Sequence, residues 1–162
     1  MDKYLLNKLK EVILSDKALS DCRSYADFQE LLNRKPPFYY TKKETLVKEF
    51  VRQVVAQCDS TEKAADICGV STETIKKARS GDRYPSKELW VKFGLILGFP
   101  EDYTAAYIDA YMKIAGYSLN PSYLTDVIYY HTMKTKLSIN ETYDLLVIHA
   151  GNAEAKKFMN RK

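Results

Sequence analysis

Between Ser71 and Lys87 the chain carries five cations, Lys76, Lys77, Arg79, Arg83 and Lys87, against two carboxylates, Glu73 and Asp82. Ammonium and guanidinium groups at this density suit phosphate oxygens, lysine as a point charge and arginine as a planar fork. Lys77, Arg79, Arg83 and Lys87 are the candidates for that contact. Thr72, Glu73 and Lys76 add groups that match base edges: a hydroxyl and methyl for thymine, a carboxylate for the cytosine amine, an ammonium for guanine acceptors. Ser71 reads as a helix cap, and a helix N-terminus turns its amides towards an anion. The same charges also suit a solvated helix face.

What must position these residues is the stretch from Thr61 to Ser86, TEKAADICGVSTETIKKARSGDRYPS. It divides into a helix over about 61–68 and a second over 71–80, hinged at Gly69. Glycine supplies the positive φ that a tight helix-to-helix turn needs. The first helix is expected to point Ala64, Ala65, Ile67 and Cys68 inward. Ala65 stands where two steeply crossing helices come closest, and only a small side chain fits there. Val70 plugs the angle, and Ile75 and Ala78 share the inward face of the second helix. That pattern is a helix-turn-helix.

The remainder of the chain reads as further helices. Tyr4, Leu5, Leu9, Val12 and Ile13 keep helical spacing and predict a helix over about 3–15. Ser24 caps a second with Tyr25, Phe28, Leu31 and Leu32 on one side. Pro36-Pro37 forces an extended link, so 35–40 is a boundary, anchored by Phe38, Tyr39 and Tyr40. Thr41 and Glu44 form a capping box before a core helix bearing Leu46, Val47, Phe50, Val51, Val54, Val55 and Cys58. Ser86 caps a helix that ends at Gly98, before Phe99-Pro100. Beyond Pro100, Tyr103, Ala106, Tyr107, Ala110, Tyr111 and Ile114 are in helical period. Pro121 or Ser122 opens another helix, Asn140 caps a last one, and the polar stretch 152–162 is expected to be a flexible tail. No stretch alternates strictly, so the fold class is all-α. The organisation is an N-terminal arm over 1–40, a helix-turn-helix domain over 41–99 and a helical extension over 100–151 packed on it.

Several classes of function find no support. His131 and His149 have no Cys or carboxylate at ligand spacing, although Asp126 shares a helix with His131. There is no glycine-rich phosphate loop and no nucleophile elbow, so neither an enzyme nor a cofactor or metal protein is expected. Cys22, Cys58 and Cys68 are odd in number and widely spaced, which fits reduced thiols and a cytoplasmic location. The N-terminus is amphipathic, unlike a signal peptide, and no apolar run approaches the roughly 20 residues that span a bilayer. The formal net charge of +4 permits a nucleic-acid partner without demanding one. Residues 100–162 balance seven basic against seven acidic residues, so the excess belongs to the earlier part of the chain.

Residues 44–99 resemble the DNA-binding domain of Cro and phage CI-type repressors (the lambda repressor-like XRE family), a five-helix all-α unit. Ala65, Gly69, Val70 and Ile75 stand at that family's helix-turn-helix spacing. SGDRYPSKELWVKFGLILGF follows its pattern of Gly, then Pro-Ser, then Leu, then Leu-Gly. Two positions depart: Glu62 replaces a glutamine that touches the phosphate backbone in many relatives, and Ala78 replaces a larger aliphatic. The segments AGYSLNPS and INETYDLL, with Asp126 between them, are similar to a region following a repressor-like unit in uncharacterised bacterial proteins.

The resemblance implies a regulator that binds double-stranded DNA with the second helix in the major groove. A homodimer is expected because one such helix reads only a short half-site, and its contact is placed in the helices after Pro100. A different class is a module that reuses the repressor-like fold to bind a protein partner, which Asp59, Glu62 and the small net charge favour. A third expectation, compatible with either, is an assembly piece whose tyrosine-rich C-terminal helices dock on a partner or on themselves.

Overall fold

The computed structural model describes residues 1–34, 43–102 and 104–160. Ten helices form among them: α1 (Lys3–Asp21), α2 (Tyr25–Asn33), α3 (Lys43–Gln57), α4 (Thr61–Cys68), α5 (Thr72–Ser80), α6 (Lys87–Leu97), α7 (Thr104–Ile114), α8 (Leu124–Thr135), α9 (Ile139–His149) and α10 (Asn152–Met159). No strand forms among the described residues, so the chain is all-α. None of these helices is long and apolar enough to cross a membrane. The 35–40 link with its aromatic residues, the Thr41 cap and the placement of Tyr103 lie outside the described residues.

The core is built on α3, α6 and α7. Leu46, Val47, Phe50, Val51, Val54 and Val55 recur at three- and four-residue steps along α3 and all are buried. Phe50 meets both Trp90 of α6 and Tyr111 of α7 edge-on, at 5.7 and 5.2 Å between ring centroids. Edge-to-face packing of this kind sets the positive ring edge against the negative ring face. Gly94 of α6 sits under α7 and α8: a Cβ there would lie 3.0 Å from Met133 Sδ and 3.0 Å from Tyr111 Cε1. The missing side chain is what lets these helices approach. α1 packs along α7, where Lys113 of α7 pairs with Asp16 of α1 at 2.7 Å.

α6 is apolar on nearly every side, which is the mark of a helix surrounded by others. Leu89 through Gly94 are all buried, and that run includes Lys92, which is 1% exposed. The Lys92 ammonium donates to the Cys68 carbonyl at the end of α4, at 2.6 Å, and lies 5.1 Å from the centroid of the Phe158 ring.

Several boundaries differ from the sequence expectation. α1 continues to Asp21 instead of ending near residue 15. α9 is capped by Ser138, not Asn140: Ser138 accepts from the Glu141 amide, and Glu141 reaches back to the Ser138 amide at 2.7 Å. Leu124 opens α8, two to three residues later than the Pro121 or Ser122 start. Ile67 is exposed rather than inward, because Ala64, Ala65 and Cys68 complete the buried face of α4.

The largest correction concerns the stretch from residue 152. It forms α10 up to Met159, and Ala155 and Phe158 are fully buried against α6 and α9. Ala155, Phe158 and Met159 share one face at helical spacing, and the surrounding lysines and Asn152 mask that stripe in the sequence. Conversely α2, capped by Ser24 as expected, buries none of its residues and leaves Tyr25, Phe28 and Leu32 exposed.

Candidate nucleic-acid interface

α4 and α5 are joined by three residues, 69–71, whose hydrogen bonds close the end of α4. The Val70 amide donates to the Ala65 carbonyl at 3.0 Å and the Gly69 amide to Asp66 at 3.1 Å. This is the paired bonding of a Schellman motif, with Gly69 left-handed at φ 64°. A Cβ on Gly69 would also stand 3.1 Å from the Met159 carbonyl of α10. Glycine is therefore required twice, by the dihedral and by the neighbour. Ala64 and Ala65 are buried, so α4 and α5 approach closely.

α5 is held at both ends. Ser71 accepts from the Thr74 amide at 3.2 Å, and its hydroxyl meets that of Thr74 at 2.9 Å. At the other end the Ser80 hydroxyl donates to Asp82 at 2.7 Å, fixing the turn through Gly81. Ile75 and Ala78 anchor the inward face. The loop that follows is pinned from the C-terminal part of the chain, since Tyr117 donates its hydroxyl to the Pro85 carbonyl at 2.7 Å. Ser86 then caps α6 by accepting from Leu89.

Helical geometry places Glu73, Lys76, Lys77 and Ser80 directly opposite Ile75 and Ala78, with Thr72 and Arg79 on one flank. Glu73, Lys76, Lys77, Arg79 and Arg83 are all exposed, and Thr72 is half-buried. Glu73 and Lys77 form an i,i+4 pair at 3.5 Å on the surface. Pairs so exposed contribute well under 1 kcal/mol, roughly, so both remain open to another partner. Lys76, Arg79 and Arg83 have no ion pair among the described residues. Glu73 near the start of α5 and Lys77 and Arg79 near its end also complement the helix dipole, a purely structural use of the same charges.

Lys87 lies elsewhere. Its ammonium is 2.6 Å from Oδ1 of Asp126 in α8, and the other oxygen of that carboxylate accepts from the Asn120 amide at 2.8 Å. Asp126 is 7% exposed, so Lys87 neutralises a buried carboxylate and does not join the α5 cations. Sequence reasoning missed this because the two residues are 39 positions apart.

No family model, curated protein or solved structure matches the chain. α4, which leads into α5, presents exposed Glu62, Asp66 and Ile67, while Asp59 pairs with Lys63 at 3.2 Å. Among the described residues no group of three or more His, Cys, Asp or Glu converges as metal ligands would. Cys58 and Cys68 are buried free thiols, and burial pushes the Cys68 thiol up to about 12. His131 and His149 are exposed.

Proposed function

We propose that the protein is a sequence-specific DNA-binding regulator of repressor-like fold that lays α5 in the major groove. The observation that carries this reading is the surface of α5 and its following turn. Lys76, Arg79 and Arg83 stand exposed and unpaired among the described residues, on a helix fixed at both ends. Thr72, Glu73 and Lys76 face base edges in this arrangement, while Lys77, Arg79, Arg83 and the capped end at Ser71 take phosphates. One such helix reads a short half-site, and a two-fold pair supplies the remaining specificity. Pairing is proposed on the α8–α9 hairpin, where Tyr123, Leu124, Val127 and Ile148 are exposed at one end of two antiparallel neighbours.

Anisotropy titration on random duplex DNA tests the reading. With about 4 phosphate contacts per protomer, affinity falls with salt at a log–log slope near −4. Absence of binding at low salt, or binding that is unchanged by Lys76→Ala with Arg83→Ala, overturns it.

One observation favours a protein partner instead. Glu62 and Asp66 of α4 are exposed beside Ile67, an arrangement that repels phosphate and suits a basic, partly apolar surface. On that reading Glu62→Gln with Asp66→Asn leaves duplex affinity at zero, whereas for a DNA binder the pair strengthens it.

A further inference from the structure

Beside α5, but on the side away from its cationic face, lies a cavity of about 310 Å³. Its walls come from α5, the 82–86 loop, α6 and α10. Three cations line it, Arg83, Lys92 and Lys157, against one carboxylate, Glu88, so two net positive charges remain. Lys157 and Glu88 are already paired at 3.1 Å. Leu89 and Phe158 lie buried beneath the cavity, and the Tyr84 ring, 43% exposed, is its accessible apolar surface.

Lys92 makes the cavity unusual. A buried ammonium is costly unless a carboxylate compensates it. Lys92 forms no ion pair among the described residues; its contacts are the Cys68 carbonyl at 2.6 Å and the Phe158 ring at 5.1 Å. The negative end of α4 and the ring face offset part of the cost. An ammonium has three protons to donate, and one bond to a carbonyl uses one of them.

We propose that this cavity is a binding site for a small organic anion. The anionic head pairs with Lys157 and Arg83, with the buried Lys92 ammonium behind them as a fixed charge, and the apolar body rests against the exposed Tyr84 ring. The volume lies at the low end of the range for small-molecule sites, about 300–1,000 Å³, and suits a single ring bearing a carboxylate or phosphate head. Burial lowers the Lys92 ammonium to about 8 against the opposing pull of Cys68 and Glu88, so an arriving anion stabilises its charged form and binding near that pH takes up a proton. Surface lysines, fully protonated there, give no such uptake. Thr74 and Ala78 of α5 form part of the wall, so occupancy alters the helix offered to DNA; that coupling alone rests on the proposed function.

The test needs no DNA, so its failure is distinct from failure of the DNA reading. The full chain is titrated with benzoate, phenyl phosphate and neutral benzyl alcohol, followed by amide resonances of Val70, Thr74 and Leu89. The proposal expects saturable shifts with one or both anions, and which one saturates first identifies the head group. It expects none with benzyl alcohol, and proton uptake near pH 8 by calorimetry in two buffers of different ionisation enthalpy. Lys157→Ala, an exposed change that leaves the core intact, weakens binding about tenfold, the loss of one charge-assisted bond. Lys92→Met abolishes the proton uptake. Absence of saturable shifts with both anions, equal shifts with benzyl alcohol, or unchanged affinity in Lys157→Ala overturns the site.

Discussion

Trp90 and Tyr111 stack face to face, 4.4 Å apart with planes 5° from parallel, and each donates a hydrogen bond to the other's backbone carbonyl. Trp90 Nε1 reaches the Tyr111 carbonyl at 3.0 Å, and the Tyr111 hydroxyl reaches the Trp90 carbonyl at 2.7 Å. Both rings are fully buried, so α6 and α7 are locked by a pair whose polar atoms have no water to fall back on. A chain ending at Phe99 keeps Trp90 but loses Tyr111, Ile108 and Met112 from the same core. We expect that truncation to show no cooperative unfolding transition. Tyr111→Phe, which removes only the hydroxyl, is expected to cost about 1–3 kcal/mol in urea unfolding.

Phe158 tests whether the C-terminal helix belongs to the fold. It is fully buried, 5.5 Å from the Tyr129 ring and beneath the Lys92 ammonium. Phe158→Ala is expected to destabilise by about 3–5 kcal/mol, whereas a frayed tail loses nothing. Chemical denaturation of the two proteins decides between them.

Lys92 sets a pH dependence of definite sign. Its folded pKa is lowered by burial to about 8 from 10.5. Below about 8 the ammonium is charged in both states and its burial cost is present in full. Between about 8 and 10.5 the folded chain releases the proton while the unfolded chain holds it, so this group makes stability rise with pH. The slope is at most about 1.4 kcal/mol per pH unit. Cys68, raised to about 12 from 9.0 chiefly by burial, acts oppositely above 9.0, because the unfolded thiol ionises first. The difference between wild type and Lys92→Met isolates the lysine. Lys92→Met removes the buried charge but also strips the Cys68 carbonyl of its donor, and it is expected to lose stability relative to wild type as the pH rises from about 8 towards 10.5. Parallel pH profiles would remove this account.

Arg83 and Lys87 are expected to separate cleanly. On the proposed DNA reading, Arg83→Ala lowers the salt slope of duplex binding by about 1 and leaves thermal stability unchanged. Lys87→Ala leaves the slope unchanged but strands the buried Asp126 carboxylate, at a cost of about 3 kcal/mol or more. A Lys87→Ala protein with a reduced slope and normal stability would return Lys87 to the interface.

Much of the helical order was legible along the chain. Ser71, Ser86 and Ser24 stand as the caps their types imply, and Gly69 takes the left-handed conformation its place demands. These are local matters, decided within a turn or two by side-chain-to-amide bonds and backbone sterics. Ile67, α10 and the α9 cap were not legible. Each turned on packing between plausible neighbours: Ala64, Ala65 and Cys68 filled the interior and left Ile67 outside, Ser138 won over Asn140 for the cap, and a masked apolar stripe won over its polar surroundings in α10.

By itself, then, the order of residues determined the all-α class, the hinge at Gly69 and the outward set Glu73, Lys76, Lys77 and Arg79, because helical period and glycine dihedrals act over short range. Tertiary structure alone decided that Lys87 serves Asp126, that Lys92 is buried over the Phe158 ring and that a cationic cavity opens behind α5. Those outcomes join residues from 24 to 66 positions apart or more, and charge compensation across such distances follows from packing, on which local sequence is silent.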